Sequence, residues 1–223
     1  MSKIEVSSIR NVKLKVEIWA DIVCPWCYIG KRRFEQALAQ FEHSKNIEIE
    51  WKSYQLSPNG NPKPGKSIYQ SLADKKGWTL DYTKQVHEHV TSQAKEVGLT
   101  YNFDDVVVAN TFDAHRLMQH SRKRGLGQIA EEHLFKAYFT EGRNIADHQT
   151  LIQIGTEIGL ESIEVSQMLS GNECSEDVSR DIYEAHQIGV QGVPYFLINE
   201  TYAVSGAQQP ETFLGLLRKA WAG

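Results

Sequence analysis

The chain has 223 residues, of which 41% are hydrophobic and 23% are charged, and its formal net charge is −4. A chain of this size and composition buries a core without disulfide staples and is typical of a soluble globular protein. Because the net charge is acidic, we expect neither nucleic acid nor a membrane among its partners.

The N-terminal residues predict a protein of the cytoplasm. The stretch MSKIEVSSIRNVKLKVEIW interleaves charged and apolar residues, so it lacks the apolar run of a signal peptide. No segment of the sequence reaches the roughly 20 apolar residues of a membrane-spanning helix. Three cysteines are too few for the disulfide framework of a secreted protein, which supports the same location.

Alternating hydrophobicity predicts two strands around a first helix. Residues Val12–Ile18 alternate between apolar and charged, and Asn46–Leu56 alternate again. Between them, Lys31–His43 show helical spacing, and we interpret the basic run Lys31–Arg33 as a solvated helix face. A crossover of this length between two strands fits a parallel β-α-β unit.

A block of helices is predicted to follow the segment Ser57–Lys66, which contains three of the six prolines. In this block the alternating pattern disappears and segments of helical spacing replace it. Asn110 and Asp147 are placed to cap two of these helices, and glycines end them.

Mixed helix and strand patterns return near the C-terminus. A helix is predicted from Ser175 to Gly189, and a buried strand over Tyr195–Ile198. Residues Thr201–Gly206 are the hairpin partner of that strand. Pro210 stands where the first residue of a final helix belongs.

The two ends of the chain are predicted to fold together. They supply β-α-β before the helical block and α-β-β-α after it, so the α/β unit is interrupted by a helical insertion. We therefore predict a discontinuous domain of residues 1–62 and 175–223, and an all-helical insertion of residues 63–174.

Two cysteines, Cys24 and Cys27, follow the first strand within the stretch DIVCPWCYIG. At a junction between strand and helix, the free N–H groups and the helix dipole favour a thiolate, which makes Cys24 the candidate nucleophile. Cys27 lies one turn further along, where it can resolve a mixed disulfide. Pro25 fits the first helical turn because it has no N–H, and Trp26 offers an apolar flank for substrate docking.

A metal site is the main alternative for such a pair. A zinc site usually needs four ligands, and the sequence contains neither a second Cys-x-x-Cys nor a spaced set of cysteines and histidines. We therefore predict no metal and no dissociable cofactor, since the two cysteines carry the electrons themselves.

Val193 and Pro194 form a second candidate motif, in GVQGVPYFLI immediately before the predicted buried strand. Only about 5–6% of X-Pro bonds in folded proteins are cis, but a tight turn opposite the cysteines favours that isomer here. A cis Pro194 would leave the backbone groups of Val193 free to pair with an extended substrate chain.

Four motifs in order resemble the DsbA family of the thioredoxin superfamily, and within it the FrnE-like cytoplasmic branch. They are DIVCPWCYIGKRRFE, NTFDAHRL, GVQGVPYFLI and VSGAQ, and the resemblance spans essentially the whole chain. It implies a thioredoxin-like α/β fold with a large all-helical insertion. It also implies a thiol–disulfide oxidoreductase of protein, peptide or small-thiol substrates, with Cys24 as nucleophile, Cys27 as resolver and cis Pro194 facing them.

The motif NTFDAHRL suggests that His115 and Arg116 bind substrate near the cysteines, an expectation that rests on the resemblance. The alternative is an ordinary polar helix face. The same branch is similar to kappa-class glutathione transferases and 2-hydroxychromene-2-carboxylate isomerases, which generally carry serine at the position of Cys24. A glutathione-dependent transferase or isomerase is therefore the alternative function, with glutathione as the alternative co-substrate.

Two further residues each have two interpretations. Glu17 is either a buried acid that accepts a proton from the resolving cysteine or a solvated strand residue. Cys174 is either a small buried hydrophobe or an oxidisable thiol at another helix N-terminus. Because Asp21 precedes the cysteines and no histidine separates them, we predict a less oxidising couple than in strongly oxidising periplasmic members of the superfamily.

Overall fold

The computed structural model describes residues 14–58 and 65–223. The predicted strand start at Val12 and the predicted domain boundary between residues 62 and 63 lie outside this part of the chain. In chain order the elements are β1 (Leu14–Ala20), α1 (Pro25–Ala39), a 3₁₀ turn (Ser44–Asn46), β2 (Ile47–Ser53), α2 (Ile68–Lys76), α3 (Leu80–Glu96), α4 (Phe112–Arg122), α5 (Gly127–Phe139), α6 (His148–Glu157), α7 (Ser162–Ser170), α8 (Ser175–Gln187), β3 (Tyr195–Ile198), β4 (Tyr202–Ser205) and α9 (Pro210–Ala222).

Four strands form one sheet in the order β2-β1-β3-β4. β1 runs parallel to β2, with Ile18 opposite Trp51, and antiparallel to β3, with Ile18 opposite Phe196. The hairpin of β3 and β4 completes the sheet. This topology confirms the predicted β-α-β start and α-β-β-α end, because strands from both ends of the chain pair directly.

Helices cover both faces of the sheet. On one face, the ring of Phe34 in α1 lies 5.4 Å from that of Phe196, and the ring of Phe213 in α9 lies 4.6 Å from Phe196. On the other face, the indole N–H of Trp19 donates to the backbone oxygen of Asp181 in α8 at 2.9 Å. Complete burial of one such aromatic side chain contributes roughly 1.5–3 kcal/mol.

The caps of the inserted helices agree only in part with the sequence patterns. Asp147 caps α6, as predicted, and accepts a hydrogen bond from the Thr150 N–H at 2.8 Å. Asn110 does not cap α4, because its side chain instead accepts from the Phe112 N–H, and Thr111 is the N-cap residue. No helix among the described residues has the length and the apolarity needed to cross a membrane.

The insertion packs against the sheet unit through one continuous core. The ring of Phe135 in α5 lies 4.9 Å from that of Tyr28 in α1 and 6.5 Å from that of Trp51 in β2. The hydroxyl of Tyr101, in the segment before α4, donates to the backbone oxygen of Pro25 at 2.7 Å. The insertion therefore supports the first turn of α1, where the cysteines lie.

The basic run of α1 is not the solvated face that its charges predicted. The Nζ of Lys31 and the Nη1 of Arg32 lie 2.6 and 2.9 Å from the same carboxylate oxygen of Glu132 in α5. Arg33 is buried and donates to the backbone oxygen of Ala207 at 2.6 Å. The three cations therefore connect α1 to α5 and to the loop between β4 and α9.

Candidate active site

Cys24 and Cys27 lie where β1 gives way to α1. The Cys24 N–H donates to the Asp21 oxygen and the Cys27 N–H donates to the Cys24 oxygen, both at 2.9 Å, so a tight turn leads into the helix. Cys24 is the N-cap residue and Pro25 follows as the first helical residue, as predicted. The Cys24 side chain therefore lies at the helix N-terminus, which carries a partial positive charge.

The two thiols differ in their access to a substrate. Cys24 is 5% exposed, whereas Cys27 is 0% exposed, and both are free thiols. Burial, followed by a hydrogen bond with the Cys24 side chain, raises the pKa of Cys27 well above its ordinary value. The outer sulfur can therefore meet a substrate, while the inner one is held as a protonated thiol.

Val193 and Pro194 face the cysteines, and the bond between them is cis, as predicted. The Cys24 thiol donates to the Val193 oxygen at 3.5 Å, which joins residues 169 positions apart. A Cβ atom at Gly30 would lie 2.9 Å from the Cγ of Pro194, so α1 approaches this proline more closely than a larger residue allows. The predicted pairing of the two motifs across the site is thus present.

Apolar surface flanks the cysteines on two sides. Trp26 is half-buried, and its ring lies 6.3 Å from that of His89 in α3. Beside Val23 there is a cavity of about 230 Å³. Its apolar lining comes chiefly from Val23, Leu56, Ile68, Leu72, Val108 and Tyr138.

A buried acid, Asp21, lies behind the cysteine pair and is 1% exposed. Its carboxylate accepts the Leu56 N–H at 2.7 Å, and its other oxygen lies 3.4 Å from the Nε2 of His115. Burial is the main cause of the raised pKa of Cys27; the charge of Asp21 adds to it, whereas a hydrogen bond with the Asp21 backbone lowers it. Asp21 is therefore a buried acid close enough to influence the resolving cysteine.

Glu17 satisfies neither of its two interpretations. It lies on β1 and is 9% exposed, so it is not a solvated strand residue. Its carboxylate lies 3.0 Å from the Nζ of Lys15 and 3.3 Å from that of Lys52. Glu17 thus belongs to an ion-pair cluster on the sheet.

His115 and Glu131 bring two further titratable groups from the insertion to Asp21. Both are 1% exposed, and neither the Nδ1 of His115 nor one carboxylate oxygen of Glu131 has a hydrogen-bond partner within the described chain. Burial raises the pKa of Glu131 to about 7, opposed by the nearby His115 and Lys31. The side chain of His115, which is predicted to bind substrate, is closed off from solvent and lies against Asp21.

Arg116, the other residue of this motif predicted to bind substrate, is also buried. Arg116 is 4% exposed, and its guanidinium pairs with Asp113 at 2.7 Å. Its other hydrogen bonds go to backbone oxygens at the end of α7 and in the loop that follows, including Gly171 at 2.6 Å and Glu173 at 2.9 Å. No N–H of the guanidinium is left for a substrate, since each already has a partner in α4, in α7 or in the loop after α7.

Glu131 and Tyr101 are site residues that were not predicted from the sequence. Glu131 precedes Phe135 by four positions and Tyr138 by seven, so it stands on the apolar stripe of α5. A charged residue on such a stripe is the signal that could have identified it. Tyr101 gave no comparable signal, because it lies outside any helix or strand.

Comparison with known proteins places this geometry in a family. A family model described as the DSBA-like thioredoxin domain matches residues 15–218. The probable DsbA oxidoreductase SCO1869 from Streptomyces coelicolor is 34% identical, with a TM-score of 0.89, and the match covers 94% of this chain and 90% of that one.

Two more distant structures share the fold. The cytosolic disulfide reductase DsbM from Pseudomonas aeruginosa, solved with GSH, is 16% identical with a TM-score of 0.64, covering 94% of this chain and 100% of that chain. A 2-hydroxychromene-2-carboxylate isomerase is 18% identical with a TM-score of 0.65, covering 93% and 94%. The predicted thioredoxin-like α/β fold with its helical insertion is therefore confirmed, and the chain belongs to the family of DSBA-like thioredoxin domains.

Proposed function

We propose that the chain is a cytoplasmic thiol–disulfide oxidoreductase that exchanges disulfides with protein, peptide or small-thiol substrates through Cys24 and Cys27. The observation that carries this proposal is the unequal burial of two free thiols within one helical turn. In such a pair the outer sulfur can attack a substrate disulfide, and the inner sulfur can then resolve the mixed disulfide.

The chemistry takes two exchange steps. The Cys24 thiolate attacks one sulfur of a substrate disulfide, the substrate S–S bond breaks, and its other sulfur leaves as a thiolate. Cys27 then loses its proton and attacks the Cys24 sulfur, so that the mixed S–S bond breaks and the second substrate sulfur leaves. The substrate has gained two electrons, and Cys24 and Cys27 are joined in a disulfide; the reverse sequence oxidises a substrate dithiol.

Val193 is proposed to align the substrate backbone. Its carbonyl accepts a hydrogen bond from the Cys24 thiol at 3.5 Å. In the mixed disulfide Cys24 has no S–H, so this carbonyl becomes free to accept an N–H of an extended substrate. Trp26 and the cavity beside Val23 offer apolar contacts next to the reacting sulfur, with Pro25 shaping the turn between the cysteines.

Glutathione is the alternative small-thiol substrate, and a glutathione-dependent isomerase or transferase is the alternative activity. The alternative requires only the outer residue of the pair, because glutathione supplies the second sulfur. The contact between the Cys27 and Cys24 side chains favours the internal couple instead.

We expect the resolving step to accelerate as pH rises. Burial, which persists in the mixed disulfide, is the largest cause of the raised pKa of Cys27. Below that pKa the thiolate fraction, and with it the rate of resolution, grows about tenfold for each pH unit. The measurement is stopped-flow release of the second aromatic thiolate from an aromatic disulfide, between pH 6 and pH 9, in a Cys174→Ser background.

The matched control is Cys27→Ser in the same background, which should release only the first thiolate at every pH. A second release whose rate does not change with pH would contradict the assignment of Cys27 as a buried, protonated resolver.

A further inference from the structure

A second group of chemistry-bearing side chains lies where α4 meets the loop between α7 and α8. We call it the α4–α8 cluster; it consists of His120, Glu173 and Cys174. One ligand atom from each residue, the imidazole nitrogen, a carboxylate oxygen and the sulfur, lies within 4.8 Å of the others. His120 and Cys174 are buried, and Glu173 opens the cluster to solvent.

The imidazole of His120 stands between two carboxylates. Its Nε2 lies 2.8 Å from an oxygen of Glu164, and its Nδ1 lies 2.9 Å from an oxygen of Glu173. A neutral imidazole has one N–H and one lone pair, so it donates to only one of them. When the imidazole donates its N–H to Glu164, the lone pair of Nδ1 faces the oxygen of Glu173, and these two acceptors repel each other. A cation bound between Nδ1 and this oxygen would replace the repulsion by attraction to both.

This arrangement matches the surroundings of metal-binding histidines in general. Such a histidine usually donates its second ring N–H to a carboxylate, which fixes the ring and its tautomer. Glu164 is in the position to accept that hydrogen bond, and Arg124 pairs with Glu164 from the other side. His120 is thus oriented with one nitrogen available to an ion.

The loop that carries the other two ligands is held in place before any ion binds. The guanidinium of Arg116 donates to the backbone oxygens of Gly171 and Glu173, at 2.6 and 2.9 Å. Cys174 has a left-handed backbone conformation with φ of 62°, which residues other than glycine rarely adopt. The spacing of the cluster therefore does not depend on a mobile loop.

The charges around the cluster leave room for a divalent cation. Arg124 neutralises Glu164, and Lys123 lies 2.7 Å from Asp177. The carboxylate of Glu173 and a thiolate at Cys174 then supply two uncompensated negative charges. The Nζ of Lys123 also lies 3.4 Å from the Cys174 sulfur, but this side chain is 47% exposed and can move into solvent when a metal takes the sulfur.

We propose that the α4–α8 cluster binds a divalent metal ion of the zinc type through His120, Glu173 and Cys174, with water as the fourth ligand. A mixed set of nitrogen, oxygen and sulfur atoms suits zinc, whereas magnesium and calcium prefer oxygen ligands alone. Binding replaces the S–H bond of Cys174 by a sulfur–metal bond and releases one proton, without any transfer of electrons. No metal is predicted from the sequence, because these ligands have none of the regular spacing of known zinc motifs.

The test is zinc titration of the full chain in which Cys24 and Cys27 are both serine, so that the other two thiols cannot bind the ion. We expect one zinc per chain by calorimetry and by metal analysis after dialysis, and a sulfur-to-cobalt charge-transfer band when cobalt replaces zinc. Adding Glu173→Gln should weaken binding at least about tenfold, and adding Cys174→Ser should weaken it about a hundredfold and remove the band.

Glu176→Gln is the matched control, since Glu176 is an exposed acid in the same region outside the cluster. It should bind zinc as the parent does. Glu173→Gln alters a surface side chain, so its folding is expected to be normal and is checked by circular dichroism. Absence of zinc binding in the parent, or equal binding by the parent and both cluster variants, would overturn the proposal.

Discussion

Replacing Cys27 by serine is expected to trap a covalent complex between Cys24 and the substrate and to abolish turnover. Cys24 keeps its place at the N-terminus of α1 and still attacks, but no second sulfur is left to break the mixed disulfide. Turnover should fall by at least about a thousandfold, which corresponds to ~4 kcal/mol of activation free energy. Mass spectrometry of the variant after reaction with a peptide disulfide measures the adduct.

Cys24→Ser supplies the contrast. It should form no adduct and should also lose turnover, because Cys27 is fully buried and cannot reach a substrate. Cys174→Ser should behave as the unmodified chain does. If Cys27→Ser kept its turnover with glutathione present, the internal couple would be ruled out in favour of the glutathione-dependent alternative.

Replacing Glu131 by glutamine is expected to remove a pH dependence of folding. The pKa of Glu131 is raised from its ordinary 4.5 to about 7 by burial, so the folded chain keeps a proton that the unfolded chain loses between those pH values. The free energy of unfolding therefore falls as pH rises through this window, by about 3 kcal/mol in total. Glutamine carries no charge, so Glu131→Gln should gain about that much stability at pH 8.5 and little at pH 4.5.

Urea denaturation at pH 4.5 and pH 8.5 measures this difference in the free energy of unfolding. The adjacent Glu132 provides a control, because its pKa is shifted in the opposite direction. Burial opposes ionisation of Glu132, but hydrogen bonds from Arg32 and Lys31 lower its pKa to about 2. The stability that Glu132 contributes is present above its unfolded pKa and is lost as pH falls towards about 2. Glu132→Gln should therefore destabilise the chain at pH 8.5; an unchanged pH dependence in Glu131→Gln would contradict the raised pKa of Glu131.

The helical insertion takes part in building the candidate site. Tyr101 donates to the backbone oxygen of Pro25 at 2.7 Å, directly between the two cysteines. His115 and Glu131 place titratable groups beside Asp21, beneath the resolving cysteine. Substitutions of these insertion residues are thus expected to change the reactivity of Cys27, although their side chains contact neither sulfur.

Features that depend on neighbours in the sequence were predictable. The strand Tyr195–Ile198 was predicted with its observed bounds, because four consecutive apolar residues follow a proline. The cap at Asp147 and the helix start at Pro210 were correct for a similar reason, since the stereochemistry of a helix start is set by a few adjacent residues. The same logic located Cys24 at a helix N-terminus.

The burial and the partners of the charged residues were not predictable, because those partners lie far away in the sequence. Arg33 meets the backbone of Ala207, 174 positions later, and Arg116 meets that of Glu173, 57 positions later. The residues near Arg33 and Arg116 in the sequence do not indicate these partners. Burial of either cation was therefore not expected from the sequence, because buried arginines are rare unless they are paired. Glu17 and Asp21 are both acidic residues shortly before the cysteines, and the sequence does not distinguish their surroundings. In the fold Glu17 pairs with lysines of the sheet, whereas Asp21 meets His115 of the insertion.

The most direct test is equilibration of the Cys174→Ser chain with a series of glutathione ratios, followed by acid quenching and mass spectrometry. We expect a single reversible loss of two hydrogens from the pair Cys24 and Cys27. The midpoint of this transition gives the equilibrium constant with glutathione, and each factor of ten in that constant corresponds to roughly 30 mV of reduction potential. The potential should be more negative than the roughly −120 mV of strongly oxidising DsbA. Glutathione adducts at Cys24 without any internal disulfide, at every ratio, would contradict the account.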